Sequence, residues 1–233
     1  MFIVVFLTYF QPLFKGKLML NGPSYIPKNS KNALILFHGY GADGDDLFSL
    51  SIELRNIFKN MAFFTPNGVN TTIGGGYEWF SLDDYFTKPN LNIDYLKELE
   101  TRSCKIIPTI DAYIEQIVSQ TGIQKENIFI GGFSQGGLIA SQIAFSSKDA
   151  FSGLILMSPV PMVTIPSTAK KIPVLLTRGL QDTVIPPQAA LLTKPTLEDA
   201  GFLVNEDIDP FMAHGISTQH FNSLITFIRQ NIK

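Results

Sequence analysis

Along most of this chain, short apolar runs alternate with segments whose apolar residues recur every three or four positions. Ala33–His38 (ALILFH), Met61–Phe64, Asn127–Gly131, Gly153–Met157, Ile172–Thr177 and Phe202–Ile208 read as strands. Most lack polar alternation, which is the pattern of strands covered on both faces of a mainly parallel sheet. Between them, Asp45–Lys59 sets Leu47, Leu50, Leu54, Ile57 and Phe58 at helical spacing behind acidic residues that favour a helix start. Ile110–Ser119 puts Ile110, Ile114, Ile117 and Val118 on one face, and Pro108 suits its opening turn. Leu138–Phe145, Gln188–Ala200 and Ser217–Ile232 are further helices. Repeated strand–helix units predict an α/β layer architecture, read as one domain over residues 1–233.

Two stretches break the rhythm. Thr65–Leu99 is rich in Gly and Asn, contains Gly74–Gly76 in a row and carries the sole tryptophan, Trp79. It reads as a long non-periodic insertion, and such insertions in compact domains are usually functional or disordered. The pair Trp79-Phe80 suggests an ordered loop packed over something apolar. Met1–Phe10 (MFIVVFLTYF) is almost wholly apolar, but it is well short of the ~20 residues of a membrane-spanning helix. A basic n-region and a small-residue cleavage site are both missing, so residues 1–20 are read as an N-terminal extension or an edge strand.

Composition narrows the function classes. Charged residues are 16% of the chain and hydrophobic ones 45%, the reverse of the balance that produces disorder. A net charge of −2 without runs of either sign leaves no footprint for nucleic acid or for an anionic lipid surface. Stable membrane insertion is not expected, and a homodimer stays open. The single Cys104 excludes an intrachain disulfide and a thiolate zinc site, and it favours a reduced, cytoplasmic protein. The three histidines are too scattered to suggest a metal centre, and no cofactor is expected.

The chemistry is carried by Gly132-Phe133-Ser134-Gln135-Gly136, a G-x-S-x-G pentapeptide directly after a strand and before a helical pattern. A serine on such a tight turn has its hydroxyl exposed, and the glycines remove side chains that would collide. A Ser134 nucleophile needs a base. Chain order in this arrangement is nucleophile, acid, histidine, which excludes His38. His214, in the loop between the last strand and last helix, is preferred over His220, which lies in the helical pattern. Asp182, after the IPVLLTRG run, suits the acid that orients the imidazole, with Asp199, Asp207 and Asp209 as competitors. The backbone N–H groups of Tyr40, after strand ALILFH, and of Gln135 would form the oxyanion hole. A rival reading takes Gly39-Tyr40-Gly41-Ala42-Asp43-Gly44 as a G-x-G-x-x-G dinucleotide fingerprint, but the acid expected at the end of the second strand is missing.

The strings LILFHGYGADGDDL, GGFSQGG, GLQDTVIP and MAHGIS resemble the phospholipase/carboxylesterase family of α/β-hydrolases, which includes bacterial carboxylesterases and eukaryotic acyl-protein thioesterases. The likeness runs from about Ala33 to the C-terminus and takes in Trp79-Phe80-Ser81. It implies an α/β-hydrolase fold, a Ser134–Asp182–His214 triad, oxyanion donors at Tyr40 and Gln135, and a small ester or thioester substrate. Trp79 and Phe80 are expected to line one wall of the acyl site. Asp83–Ser103 and Pro159–Ser167 diverge most and are expected to shape that pocket. Outside the enzyme class stand a non-catalytic binding module and a membrane-associated protein anchored by Met1–Phe10.

Overall fold

In strand β2 (Asn32–Phe37), Ala33, Ile35 and Phe37 face one apolar layer while Leu34 and Leu36 face another. That double-sided burial repeats in β6 (Ile128–Phe133), β7 (Gly153–Met157) and β8 (Val174–Gly179), and it explains why these strands show no polar alternation. The computed structural model describes residues 19–82, 84 and 92–233. The predicted strand or extension at Met1–Phe10 lies outside the described residues.

With β1 (Ser24–Tyr25), β3 (Met61–Phe64) and β9 (Val204–Asp209), these strands form a seven-stranded sheet in the order β1-β3-β2-β6-β7-β8-β9. Every pairing is parallel except β1 with β3. Helices α1 (Gly44–Ile57) and α6 (Thr218–Asn231) cover one face through Leu47, Phe48, Leu54, Leu224, Phe227 and Ile228. On the other face lie α2 (Ile93–Cys104), α3 (Ile107–Thr121), α4 (Gln135–Ser146) and α5 (Pro187–Asp199). The chain moves from β2 outward to β3 and then returns to β6 on the other side of β2. The crevice at the carboxyl ends of β2 and β6 is therefore a topological switch point, the usual ligand position in such sheets.

Three departures from the sequence reading have physical causes. The insertion 65–99 is not uniformly non-periodic. It contains a hairpin of β4 (Asn70–Thr71) and β5 (Tyr77–Glu78), and its end runs into α2, capped by the Asn92 side chain on Tyr95 N–H. The α2 stripe of Tyr95, Leu96 and Leu99 continues through buried Glu100 and Ser103, so polar residues interrupt the apolar period. Gly75 and Gly76 take positive φ at the hairpin turn, a conformation that suits glycine. Finally, α4 begins at Gln135, three residues before the predicted Leu138, because Gly136 and Gly137 are helical without carrying any apolar pattern.

Candidate active site

Ser134 sits between β6 and α4 with φ 53° and ψ −115°, a strained conformation for a residue with a side chain. The turn is held by Ser134 N–H donating to Met157 O at 3.0 Å, while Ser134 O accepts from Gly137 and Val160 N–H at 3.0 Å each. A Cβ on Gly132 would come within 2.3 Å of the Gly136 backbone, and one on Gly136 within 1.9 Å of Phe37 O. Both flanking glycines are thus required by contact between the β2 end, the β6 end and the α4 start. The positive end of the α4 dipole opens at this serine.

His214 and Asp182 come together. His214 Nδ1 lies 2.7 Å from Asp182 Oδ2, and Asp182 is only 6% exposed. The other carboxylate oxygen accepts Val184 and Ile185 N–H at 2.9 Å each, which fixes its orientation. The loops carrying the two residues are tied by Leu180 N–H to Asp209 O at 2.9 Å and Gln181 N–H to Met212 O at 3.0 Å. The His214 imidazole packs on Phe133, next to Ser134, with ring centroids 4.7 Å apart. No hydrogen bond between the Ser134 hydroxyl and His214 is present among the described residues.

Two of the competitors, Asp207 and Asp209, are engaged elsewhere. Asp207 accepts from Gln219 Nε2 at 2.5 Å and Ser223 Oγ at 2.6 Å. Asp209 accepts Phe211 N–H at 2.9 Å, and that bond with the Ser217 hydroxyl holds its carboxyl below the usual carboxylate range. Asp199 ends α5. His220 is 1% exposed in the first turn of α6, where it completes a capping box with Ser217.

Tyr40 lies in the turn after β2, and Gln135 is the first residue of α4, so the Gln135 N–H has no intrahelical partner. The Gln135 side chain was not anticipated as functional. Its Oε1 accepts Trp79 N–H at 3.0 Å and its Nε2 donates to Phe80 O at 2.7 Å, clamping the 79–80 backbone beside the serine. His38, excluded as base, braces the same region. Its Nε2 accepts Gly68 N–H at 2.9 Å, so Nδ1 carries the proton toward Gly39 O at 2.7 Å. Burial holds the His38 pKa below the ordinary histidine value. The one sequence cue to this role was its position directly after the β2 run, beside Gly39-Tyr40-Gly41.

Trp79 is 1% exposed. Its ring meets Phe37 edge-on at 5.1 Å, lies 5.1 Å from His38, and donates from Nε1 to His38 O at 2.9 Å. Together with Phe80 it also borders a cavity of about 630 Å³ that reaches Arg102 and Lys105 of the α2 end. At the start of α1, Gly44 N–H donates to Asn67 Oδ1 at 2.7 Å and Asp46 N–H to Asp43 Oδ1 at 3.2 Å. These side chains already use donors that a dinucleotide pyrophosphate would need, which counts against the fingerprint reading. Among the described residues no group of His, Cys, Asp and Glu has metal-binding geometry, and no helix is long and apolar enough to cross a membrane.

Comparison with known proteins adds a family. The model of a phospholipase/carboxylesterase family matches residues 26–232. Acyl-protein thioesterase 1 of Kluyveromyces lactis is 30% identical over 220 residues, spanning 88% of this chain and 93% of that protein. Carboxylesterase SOBER1 of Arabidopsis thaliana is 28% identical over 216 residues, spanning 88% of this chain and 92% of its own. The solved structure of esterase PE8 aligns with a TM-score of 0.79 at 27% identity, covering 91% of this chain and 99% of that one.

Proposed function

The chain belongs to the phospholipase/carboxylesterase family, an enzyme family of serine hydrolases with the α/β-hydrolase fold, and from that premise we propose that it hydrolyses carboxylic esters of short to medium acyl chains through Ser134, His214 and Asp182. The observation that carries this reading is the 2.7 Å contact between His214 Nδ1 and Asp182 Oδ2 on loops beside a strained Ser134. With Nδ1–H held by the carboxylate, Nε2 is the lone-pair nitrogen. It takes the Ser134 proton as the hydroxyl attacks the ester carbonyl. Asp182 keeps the imidazole in that tautomer and stabilises its charged form without taking the proton.

The tetrahedral oxyanion is received by the Tyr40 and Gln135 backbone N–H groups, with the α4 dipole adding to their field. His214 then protonates the leaving alcohol, and water resolves the acyl-enzyme by the same route. The acyl chain is assigned to the side of Phe80 and Trp79, where the cavity of about 630 Å³ begins. A thioester substrate is the second reading, favoured by the 30% identity to an acyl-protein thioesterase; a cytoplasmic location accords with the lone Cys104.

The test is labelling with a fluorophosphonate, followed by turnover of p-nitrophenyl acetate. Parent protein should label at Ser134, and Ser134→Ala should lose both labelling and nearly all turnover while keeping its melting midpoint. Turnover by Ser134→Ala at the parent rate would overturn the assignment.

A further inference from the structure

Glu100 is a carboxylate only 7% exposed on the inner face of α2, and the chemistry above does not use it. One of its oxygens, Oε1, accepts two backbone N–H groups of a single loop, Val163 at 2.5 Å and Thr164 at 3.0 Å. Its own carbonyl accepts Gln142 Nε2 of α4 at 3.3 Å, so the helix supplying the carboxylate is itself anchored to the nucleophile helix.

The loop it grips connects β7 to β8 and starts at the nucleophile. Val160 N–H donates to Ser134 O at 3.0 Å, and a Cβ on Gly137 would come within 2.7 Å of Pro159. Between this attachment and the Glu100 grip lie Pro161 and Met162, both buried. The first stretch of the loop is therefore bonded at residue 160 to Ser134 and at residues 163 and 164 to Glu100. A carboxylate removed from water is costly unless donors match its charge, and two N–H groups on one oxygen make a charge-assisted clamp. Packing alone would be served by an apolar side chain. A buried charge used on two main-chain donors fixes where the loop runs.

We propose that Glu100 is a positioning residue for substrate selection: its carboxylate holds residues 159–165 as a wall of the acyl-binding space beside Ser134. The inference rests on Ser134 being the nucleophile. Without the clamp, the Val163 and Thr164 N–H groups must find water and the Met162 segment loses its fixed position. A medium-length acyl chain leans on that wall, whereas an acetyl group ends before reaching it.

The experiment measures kcat and KM of Glu100→Ala and Glu100→Gln on p-nitrophenyl acetate and octanoate, with melting midpoints and fluorophosphonate labelling alongside. Glu100→Ala should raise the octanoate KM about tenfold, equivalent to losing the burial of roughly two methylenes. Its kcat and its acetate KM should move far less. Glu100→Gln keeps an acceptor oxygen at the same reach without the charge, so its octanoate KM should rise only about threefold. If the alanine variant does not fold, the glutamine variant carries the test. Equal changes on both esters, or an unaltered octanoate KM in Glu100→Gln, overturn the proposal while parent labelling at Ser134 leaves the catalytic reading standing. Parent protein that does not label at Ser134 overturns both.

Discussion

Replacing Asp182 by Asn tests the site through a forced choice between two amide orientations. In the parent, Oδ1 accepts two N–H groups, from Val184 and Ile185, and Oδ2 faces His214 Nδ1 at 2.7 Å. The amide can turn its oxygen to the Val184–Ile185 turn and its NH₂ to the imidazole, or the reverse. The reverse sets NH₂ against two backbone donors and leaves both unpaired, at about 1–3 kcal/mol each. The oxygen therefore stays with the turn. NH₂ then faces Nδ1, which must become the acceptor, and the proton moves to Nε2, where it blocks acceptance of the Ser134 proton.

Restoring the useful tautomer costs the same two unpaired donors, about 2–6 kcal/mol in all, and the imidazolium also loses its carboxylate partner. The equivalent substitution in a serine protease costs about 10⁴ in kcat, or ~5.5 kcal/mol at 1.36 kcal/mol per decade, and the range worked here is compatible with that size. The fold should survive, since both turn bonds persist in neutral form. A loss of about 1 kcal/mol corresponds to a midpoint drop of roughly 2–4 °C in a protein of this length. The assay is p-nitrophenyl acetate turnover at pH 8 with a melting curve on the same sample. A loss below tenfold with the midpoint held would refute the reasoning and assign the imidazole to another acid.

His214→Ala should abolish turnover with a near-parent midpoint, whereas His220→Ala, which removes a buried capping partner, should lower the midpoint while the folded fraction stays active; the reverse pattern would exchange their roles. Trp79→Ala empties a fully buried ring site and should cost about 3–5 kcal/mol, lowering the midpoint by about 10 °C, and the folded fraction should lose kcat/KM on longer esters more than on acetate. Equal losses across the chain-length series would make the ring core support only and remove it from the acyl wall. Burial lowers the His38 pKa in the folded state, so the native protein binds fewer protons than the unfolded chain there. Its contribution is complete above the unfolded value of about 6.5 and is lost as pH falls below it. The parent midpoint should drop between pH 7 and pH 5 more steeply than that of His38→Gln, and equal slopes would remove His38 from the acid response.

What was legible in the sequence followed from local demands. Strands β2, β6, β7 and β8 are apolar on both faces because helices cover both sides, and that leaves an unbroken run of letters. The turn at Ser134 also leaves its letters: Gly132 and Gly136 flank it because main chain approaches both, from the start of α4 and from Phe37 at the end of β2. Asp182 and His214 each stand in a loop just after a strand, where chain order alone narrows the choice. Helix α2 was hidden because two of its five inward-facing residues, Glu100 and Ser103, are polar, and polar letters inside an apolar stripe erase its period.

The polar clamps were illegible for a different reason. Gln135 meets Phe80 across 55 positions, and Glu100 meets Thr164 across 64. In both cases the partner is main chain, which leaves no letter in the sequence. A side chain paired with a backbone N–H or C=O places little demand on the identity of the residue that owns it, so a single sequence carries only half of the interaction. The same asymmetry bears on specificity. The exposed side chains of this loop can change while Glu100 continues to hold its backbone, provided Val160, Val163 and Thr164 are not replaced by proline, which lacks the N–H. A fixed main-chain path with exchangeable side chains lets one catalytic scaffold vary its acyl preference without disturbing Ser134, and here that path begins on the Ser134 carbonyl itself.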